Sequence, residues 1–260
     1  MFIFIAFSFI LGLIIGSFLN CVIFRLHQKE SFLFGRSHCF FCRKNLKFKD
    51  LVPVASFLWQ KGRCGYCFKK ISWQYPLVEL ATAVLFSAAV FFHTDAGLNI
   101  DAWLILRDWL FISFLIIIFV YDLKHYLILD KVIWPAAIIA VIFNLGLDFS
   151  WAVALNLFLS AIAGGSFFLI QYLISRGRWL GGGDVRLGFL MGLMVGWPGV
   201  AIAISLAYFI GSLFSVYLVA AKKKSWQSHL PLGTFLTLAT VITLFWGEVI
   251  LDFYLNFVGY

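Results

Sequence analysis

Long apolar runs separated by short polar stretches fill the chain. Runs that reach or approach the 17–25 residues that cross a bilayer fall at 2–24, 76–92, 102–121, 132–146, 152–174, 187–197, 199–221 and 230–251. The run at 187–197 is short, and Gly196-Trp197-Pro198-Gly199 supplies the turn after it. The first run lacks a basic start and is too long for a cleavable signal, so it is expected to be a retained span. The pattern predicts an all-α polytopic membrane protein with about eight transmembrane helices. Its organisation is expected as a first transmembrane helix at 1–25, a small polar domain at 26–75 and a seven-helix membrane-embedded core at 76–260.

Composition narrows the class further. The 260 residues are 63% hydrophobic and 12% charged, against about a quarter charged in soluble domains. An ordinary cytosolic enzyme, a disordered chain and a secreted disulfide scaffold are thereby excluded. The net charge is +8, with 20 Lys and Arg. In a membrane chain such an excess is first a topology signal, ahead of nucleic-acid binding. Numbering the segments alternately puts 19 of the 20 on one side, eleven of them between Arg25 and Lys70. Lys124, Lys131, Arg176, Arg178, Arg186 and Lys222–Lys224 complete that side, while Asp95, Asp101, Asp148 and Asp252 fall on the other. This bias supports eight spans, with the basic side cytoplasmic and both termini outside. Arg107 is the exception, and it is expected to snorkel outward.

Four of the five cysteines lie in the polar domain. They read Cys39-x2-Cys42, then 21 residues, then Cys64-x2-Cys67. Two such pairs bring four thiolates to one tetrahedral zinc, and a reducing cytoplasm disfavours two disulfides. Four cysteines leave zinc no open position, so the expected role is structural. Cys21 lies in an apolar span and reads as a small buried residue.

The candidate chemistry lies in two acids. Asp122 follows the apolar Phe119-Val120-Tyr121, and Asp184 follows Gly181-Gly182-Gly183. Both are expected at the basic face. Acids at or within a span are costly and tend to be functional. Two carboxyls that meet share a proton and can activate a water between them. The glycines allow a backbone to approach closely, as a substrate strand would. The bland reading makes Gly181–Gly183 a flexible loop and Asp184 a helix-start acid, and lets Asp122 pair with Lys124 or His125.

These features, in this order, resemble the type IV prepilin peptidase family. The resemblance runs from Gly16-Ser17-Phe18-Leu19-Asn20 through both cysteine pairs, with Gly62-Arg63-Cys64-Gly65-Tyr66-Cys67, to Tyr75-Pro76-Leu77-Val78-Glu79-Leu80. It continues through Asp122-Leu123 to Ile128 and Asp130, Gly181-Gly182-Gly183-Asp184 as a GxGD signature, and Leu230-Pro231-Leu232-Gly233-Thr234-Phe235-Leu236. Phe40 and Leu129 stand where the family usually has proline, and Arg186 where it commonly has lysine.

The resemblance implies an aspartic endopeptidase of the bacterial inner membrane with Asp122 and Asp184 as its dyad. Its substrates would be type IV prepilins or pseudopilins, cut at the cytoplasmic face after a short basic leader. Many members also methylate the new N-terminus with S-adenosylmethionine, and Glu79 is a candidate contributor through the Pro76–Leu80 match alone. Gly181, Gly182 and Gly183 would form the substrate loop. Three alternatives remain beside this. One is a peptidase without methyltransferase activity. Another is a proton- or ion-coupled transporter using the two aspartates, which would predict internal repeats. The third is a membrane scaffold whose zinc module binds a partner. Lipid headgroups are an expected contact of the basic segment.

Overall fold

The computed structural model describes residues 1–31, 37–39, 41–94, 100–221 and 230–259. Arg36, Phe40, Asp95 and Lys222–Lys224 lie outside the described residues. Helix α1 (Phe2–Gln28) leads into a polar segment holding a 3-10 turn at Phe48–Asp50 and the short α2 (Ala55–Trp59). Then follow α3 (Gln74–Phe92), α4 (Ala102–His125), α5 (Asp130–Leu147), α6 (Trp151–Ser175), α7 (Gly182–Ala220) and α8 (Leu232–Val258). Seven of these are long and apolar enough to cross a membrane. With the composition, they make this a multi-pass membrane protein. The chain forms two compact units, Met1–Ile117 and Ile118–Tyr260, whose boundary falls inside α4.

In the first unit, α1 packs against α3. A side chain at Gly12 would begin 2.5 Å from the Ala83 Cα, and one at Gly16 would begin 2.7 Å from the Glu79 Cα. Glycines four apart thus let the two backbones approach, as membrane helices do when no water drives them together. A polar ladder extends this seam. The Asn20 side-chain amide donates to the Tyr75 carbonyl at 3.1 Å, and Gln74 donates to the Asn20 amide oxygen at 3.1 Å.

Arg107, expected to snorkel outward, makes an ion pair within the first unit. Its guanidinium turns to the neighbouring Asp108, which has no exposed surface. The second Asp108 oxygen meets His93 Nε2 at 2.8 Å. A buried carboxylate is tolerable only when paired, and here it neutralises the one cation that breaks the charge pattern.

In the second unit, α6, α5 and α8 all pack on α7. At 39 residues, α7 would run about 58 Å if straight, roughly twice the hydrocarbon thickness. It is instead broken where the sequence placed a turn. Gly196 has φ 62° and ψ −170°, Trp197 is extended, and the Trp197–Pro198 peptide is cis. The resulting pieces, 182–195 and 198–220, bring the seven long helices to eight helical segments.

A break in a membrane helix frees backbone groups that hydrocarbon cannot satisfy. Two asparagines supply the partners. The Asn144 amide of α5 donates to the Leu193 and Met194 carbonyls at 2.8 and 3.3 Å. Asn156 of α6 accepts from the Trp197 N–H at 2.8 Å and donates to its carbonyl at 3.2 Å. Small residues bring α6 and α7 close: a side chain at Gly188 would start 2.5 Å from the Gly164 carbonyl. The pairs Ser160/Gly164 and Gly188/Gly192, each four apart, form this contact.

Candidate active site and metal centre

Asp122 lies in the last turn of α4 and Asp184 in the first turn of α7. Both are buried, 4% and 8% exposed. Asp122 is held by the start of α8. Its Oδ2 accepts from the Thr234 backbone N–H at 2.8 Å and from the Thr234 hydroxyl at 3.2 Å. Asp184 is held by its own glycine loop: Oδ2 accepts from the Gly181 N–H at 2.9 Å, closing the N-terminus of α7. The two carboxyls lie within electrostatic reach of each other.

Gly183 and Gly233 explain how the loops come together. A side chain on Gly183 would begin 2.9 Å from the Ile128 Cβ. One on Gly233 would begin 2.9 Å from both the Ile128 Cδ1 and the Asp122 Oδ2. Ile128, between α4 and α5, is therefore the wedge that both glycine turns close upon. Outside it, Asp130 and Arg186 form an ion pair between the starts of α5 and α7. The residue substituting for lysine thus has a carboxylate partner. Gly181 and Gly182 face open surroundings, with an added Cβ meeting nothing nearer than 3.7 and 3.9 Å.

In the sequence, Ile128, Gly233 and Thr234 stand only inside the family-like blocks, with no role of their own. The signal available was the small pair Gly233-Thr234 opening an apolar run, with an N–H and a hydroxyl able to face an acid.

The four cysteines meet in the first unit. Their sulfurs all lie within 4.8 Å of one another, and Cys39 and Cys67 Sγ are 3.8 Å apart. A tetrahedral zinc with bonds of about 2.3 Å has edges of about 3.8 Å. A disulfide would need about 2.05 Å, and all four thiols are free. The donor set therefore fits one metal ion. The two pairs are built alike. In each, the first cysteine N–H bonds a carbonyl five residues on, to Lys44 and Lys69. In each, the residue four places after the first cysteine, Arg43 or Phe68, takes positive φ. His38 pairs with Asn45, and Arg63 with Lys70, as matching bridges.

Ring packing and side-chain hydrogen bonds brace the knuckle segment. Phe57, 8% exposed, packs on Trp73 with ring centroids 4.9 Å apart. Asp50 accepts from Gln60, Tyr66 and the Lys47 N–H. The bond to Asp50 pushes the Tyr66 hydroxyl pKa above its ordinary value. Glu79 links the segment to α3. It is 7% exposed, and its Oε2 accepts from the Val54 N–H at 2.7 Å. Val54 has φ 59°, a strained value for a β-branched residue that persists only where its surroundings enforce it.

A polytopic helical protein with two anchored aspartates and a four-cysteine centre is the class these features define. Comparison with known proteins gives the family. The model for the bacterial peptidase A24 N-terminal domain matches residues 10–93, and that for the type IV leader peptidase family matches residues 109–216. A prepilin leader peptidase/N-methyltransferase of Bacillus subtilis is 33% identical over 95% of this chain and 96% of its own. One of Pseudomonas aeruginosa is 29% identical, over 99% and 95%. A type 4 prepilin-like proteins leader peptide-processing enzyme of Escherichia coli O78:H11 is 34% identical, over 90% and 91%. No solved structure matches. The chain belongs to the type IV leader peptidase family.

Proposed function

We propose that this protein is a membrane aspartic endopeptidase that removes the leader from type IV prepilins or pseudopilins and methylates the N-terminus it exposes. The observation that carries the peptidase reading is the pair of buried carboxyls, each anchored through one oxygen by a backbone N–H, with Ile128 between their loops. Anchoring fixes the plane of each carboxyl before substrate arrives, which is the geometric requirement for acid–base work.

In this reading Asp122 and Asp184 hold a water between them. One carboxylate takes a proton from the water as its oxygen attacks the scissile carbonyl carbon. The protonated partner donates to the carbonyl oxygen. The tetrahedral intermediate then collapses, the C–N bond breaks, and the leaving amine receives a proton from the acid that has just been formed. Gly181 and Gly182, open at the start of α7, let an extended substrate backbone lie beside Asp184. The positive-inside bias supports a cytoplasmic knuckle and dyad, with both termini outside, in the bacterial inner membrane.

The metal is zinc, held by Cys39, Cys42, Cys64 and Cys67 in a structural role, because a closed four-thiolate set leaves no site for water. S-adenosylmethionine would supply an electrophilic methyl group to the new amine. The Glu79 carboxylate is buried and already accepts from the Val54 N–H. It enters methylation by holding the knuckle segment against α3 rather than as an open cofactor ligand.

The test is substitution of each acid by its amide. Asp122→Asn or Asp184→Asn, with a co-expressed prepilin, should lower leader cleavage by on the order of 10³-fold while zinc content stays constant. Full processing by either variant would overturn the dyad assignment.

A further inference from the structure

We infer that the zinc knuckle carries a discrete site for the phosphate-bearing headgroup of an anionic phospholipid, formed by Lys61, Arg63 and Lys70 beside Trp73. This goes beyond the peptidase reading and does not depend on it.

The knuckle segment contains a concave pocket of about 530 Å³. Its lining holds three cations, Lys61, Arg63 and Lys70, together with Phe57, Leu58, Gly62, Ile71 and Trp73. The lining contains no acid. Among the described residues, no ion pair involves any of the three cations.

Arg63 and Lys70 stand opposite each other in an antiparallel bridge. Like charges directly opposite across a pair of strands repel, so this register concentrates positive potential that an anion placed between them would relieve. The register is fixed by the second cysteine pair: Cys64 N–H to the Lys69 carbonyl and Phe68 N–H to the Cys64 carbonyl close the turn. Lys61 and Gly62, both at positive φ, turn the chain so that Lys61 joins the other two. The Gly62 carbonyl accepts from the Ile71 N–H and holds that edge in place.

The surroundings favour a lipid over a soluble anion. Leu58 and Trp73 in the lining are 62% and 66% exposed, and the adjoining Trp59 is 75% exposed. Trp73 immediately precedes α3, a helix apolar and long enough to span. Tryptophan at a span end sits at headgroup level, which puts the pocket where lipid phosphates are. The apolar rim suits the glycerol and first acyl carbons. A sulfonium cofactor would meet three cations and no carboxylate, so this pocket does not suit S-adenosylmethionine.

The experiment uses the full protein, delipidated in detergent and titrated with short-chain phosphatidylglycerol or phosphatidylcholine, with bound lipid counted by native mass spectrometry. A Lys or Arg near an anionic surface is worth on the order of fivefold in binding. Arg63→Gln with Lys70→Gln should therefore weaken the tightest phosphatidylglycerol site by roughly 20-fold, leave phosphatidylcholine binding unchanged and keep the zinc content. Should the double variant lose zinc, Lys61→Gln, which leaves the bridge intact, should still weaken that site about fivefold. Phosphatidylglycerol binding within twofold of the parent in the zinc-replete variants would overturn the proposal. So would an equal loss in Lys47→Gln with Lys49→Gln, which would mark diffuse attraction. Displacement of the lipid by inorganic phosphate at equal concentration would overturn it as well.

Discussion

Replacing Gly233 by alanine tests the geometry of the site more sharply than removing an acid does. The added methyl would start 2.9 Å from the Asp122 Oδ2, 3.1 Å from its Cγ and 2.9 Å from the Ile128 Cδ1. Ile128 can rotate its terminal methyl away. The carboxyl has less freedom, because the same Oδ2 is held by the Thr234 N–H at 2.8 Å and Thr234 moves with residue 233. Ordinary contact begins near 3.4 Å, so Asp122 must retreat by about 0.5 Å. Overpacking of this kind costs about 1–3 kcal/mol, and a 1 Å misplacement of a reacting group costs about 10²-fold in rate. Gly233→Ala should therefore lower the initial rate of leader removal from a purified prepilin in proteoliposomes by about 10- to 100-fold. Gly181→Ala is the matched control. Its methyl would lie 3.7 Å from the Asp184 Oδ2, and its φ of −86° suits alanine. Its N–H still reaches Asp184, so the change should cost the helix at most about 1 kcal/mol through its N-cap and leave the rate within about threefold. The reasoning fails if Gly233→Ala cleaves within threefold of the parent, or if Gly181→Ala falls as far.

Two further outcomes follow from the structure. Asn144→Leu strands the Leu193 and Met194 carbonyls beside the break in α7; unfolding in detergent should show a loss of about 1–3 kcal/mol with zinc content unchanged, and an undiminished stability would refute the pairing. In the metal-free knuckle the Lys69 backbone N–H pulls the Cys67 thiol down, but desolvation and the neighbouring sulfurs outweigh it and push the pKa up to about 11. The metal must displace that proton, so affinity drops as pH falls. A chelator should then strip zinc at pH 6 from protein that retains it at pH 8, whereas retention independent of pH, or unchanged zinc in Cys39→Ser with Cys64→Ser, would refute the four-thiolate site.

Much of this protein is legible in its sequence. Span positions follow from the length of apolar runs because a bilayer imposes one thickness. The break at Gly196 was legible because glycine and proline cannot continue a helix together. The cysteine cluster was legible from spacing, since two residues between thiols suit a single tight turn. Other features are contacts between residues far apart in the chain, which local pattern does not encode. The Asp122–Thr234 bond joins residues 112 positions apart. The Asn144 and Asn156 pairings, the Ile128 wedge and the buried Asp108 with Arg107 and His93 are of the same kind. The small-residue seams could have been read from four-residue spacings, but the partner helix could not. Sequence alone determined which elements exist and which residue types carry chemistry, because bilayer thickness, turn sterics and thiol chemistry act locally. Tertiary structure decided which carboxyl oxygen is anchored, by which amide, and which glycine must stay a glycine, because those depend on distances between helices that only packing sets.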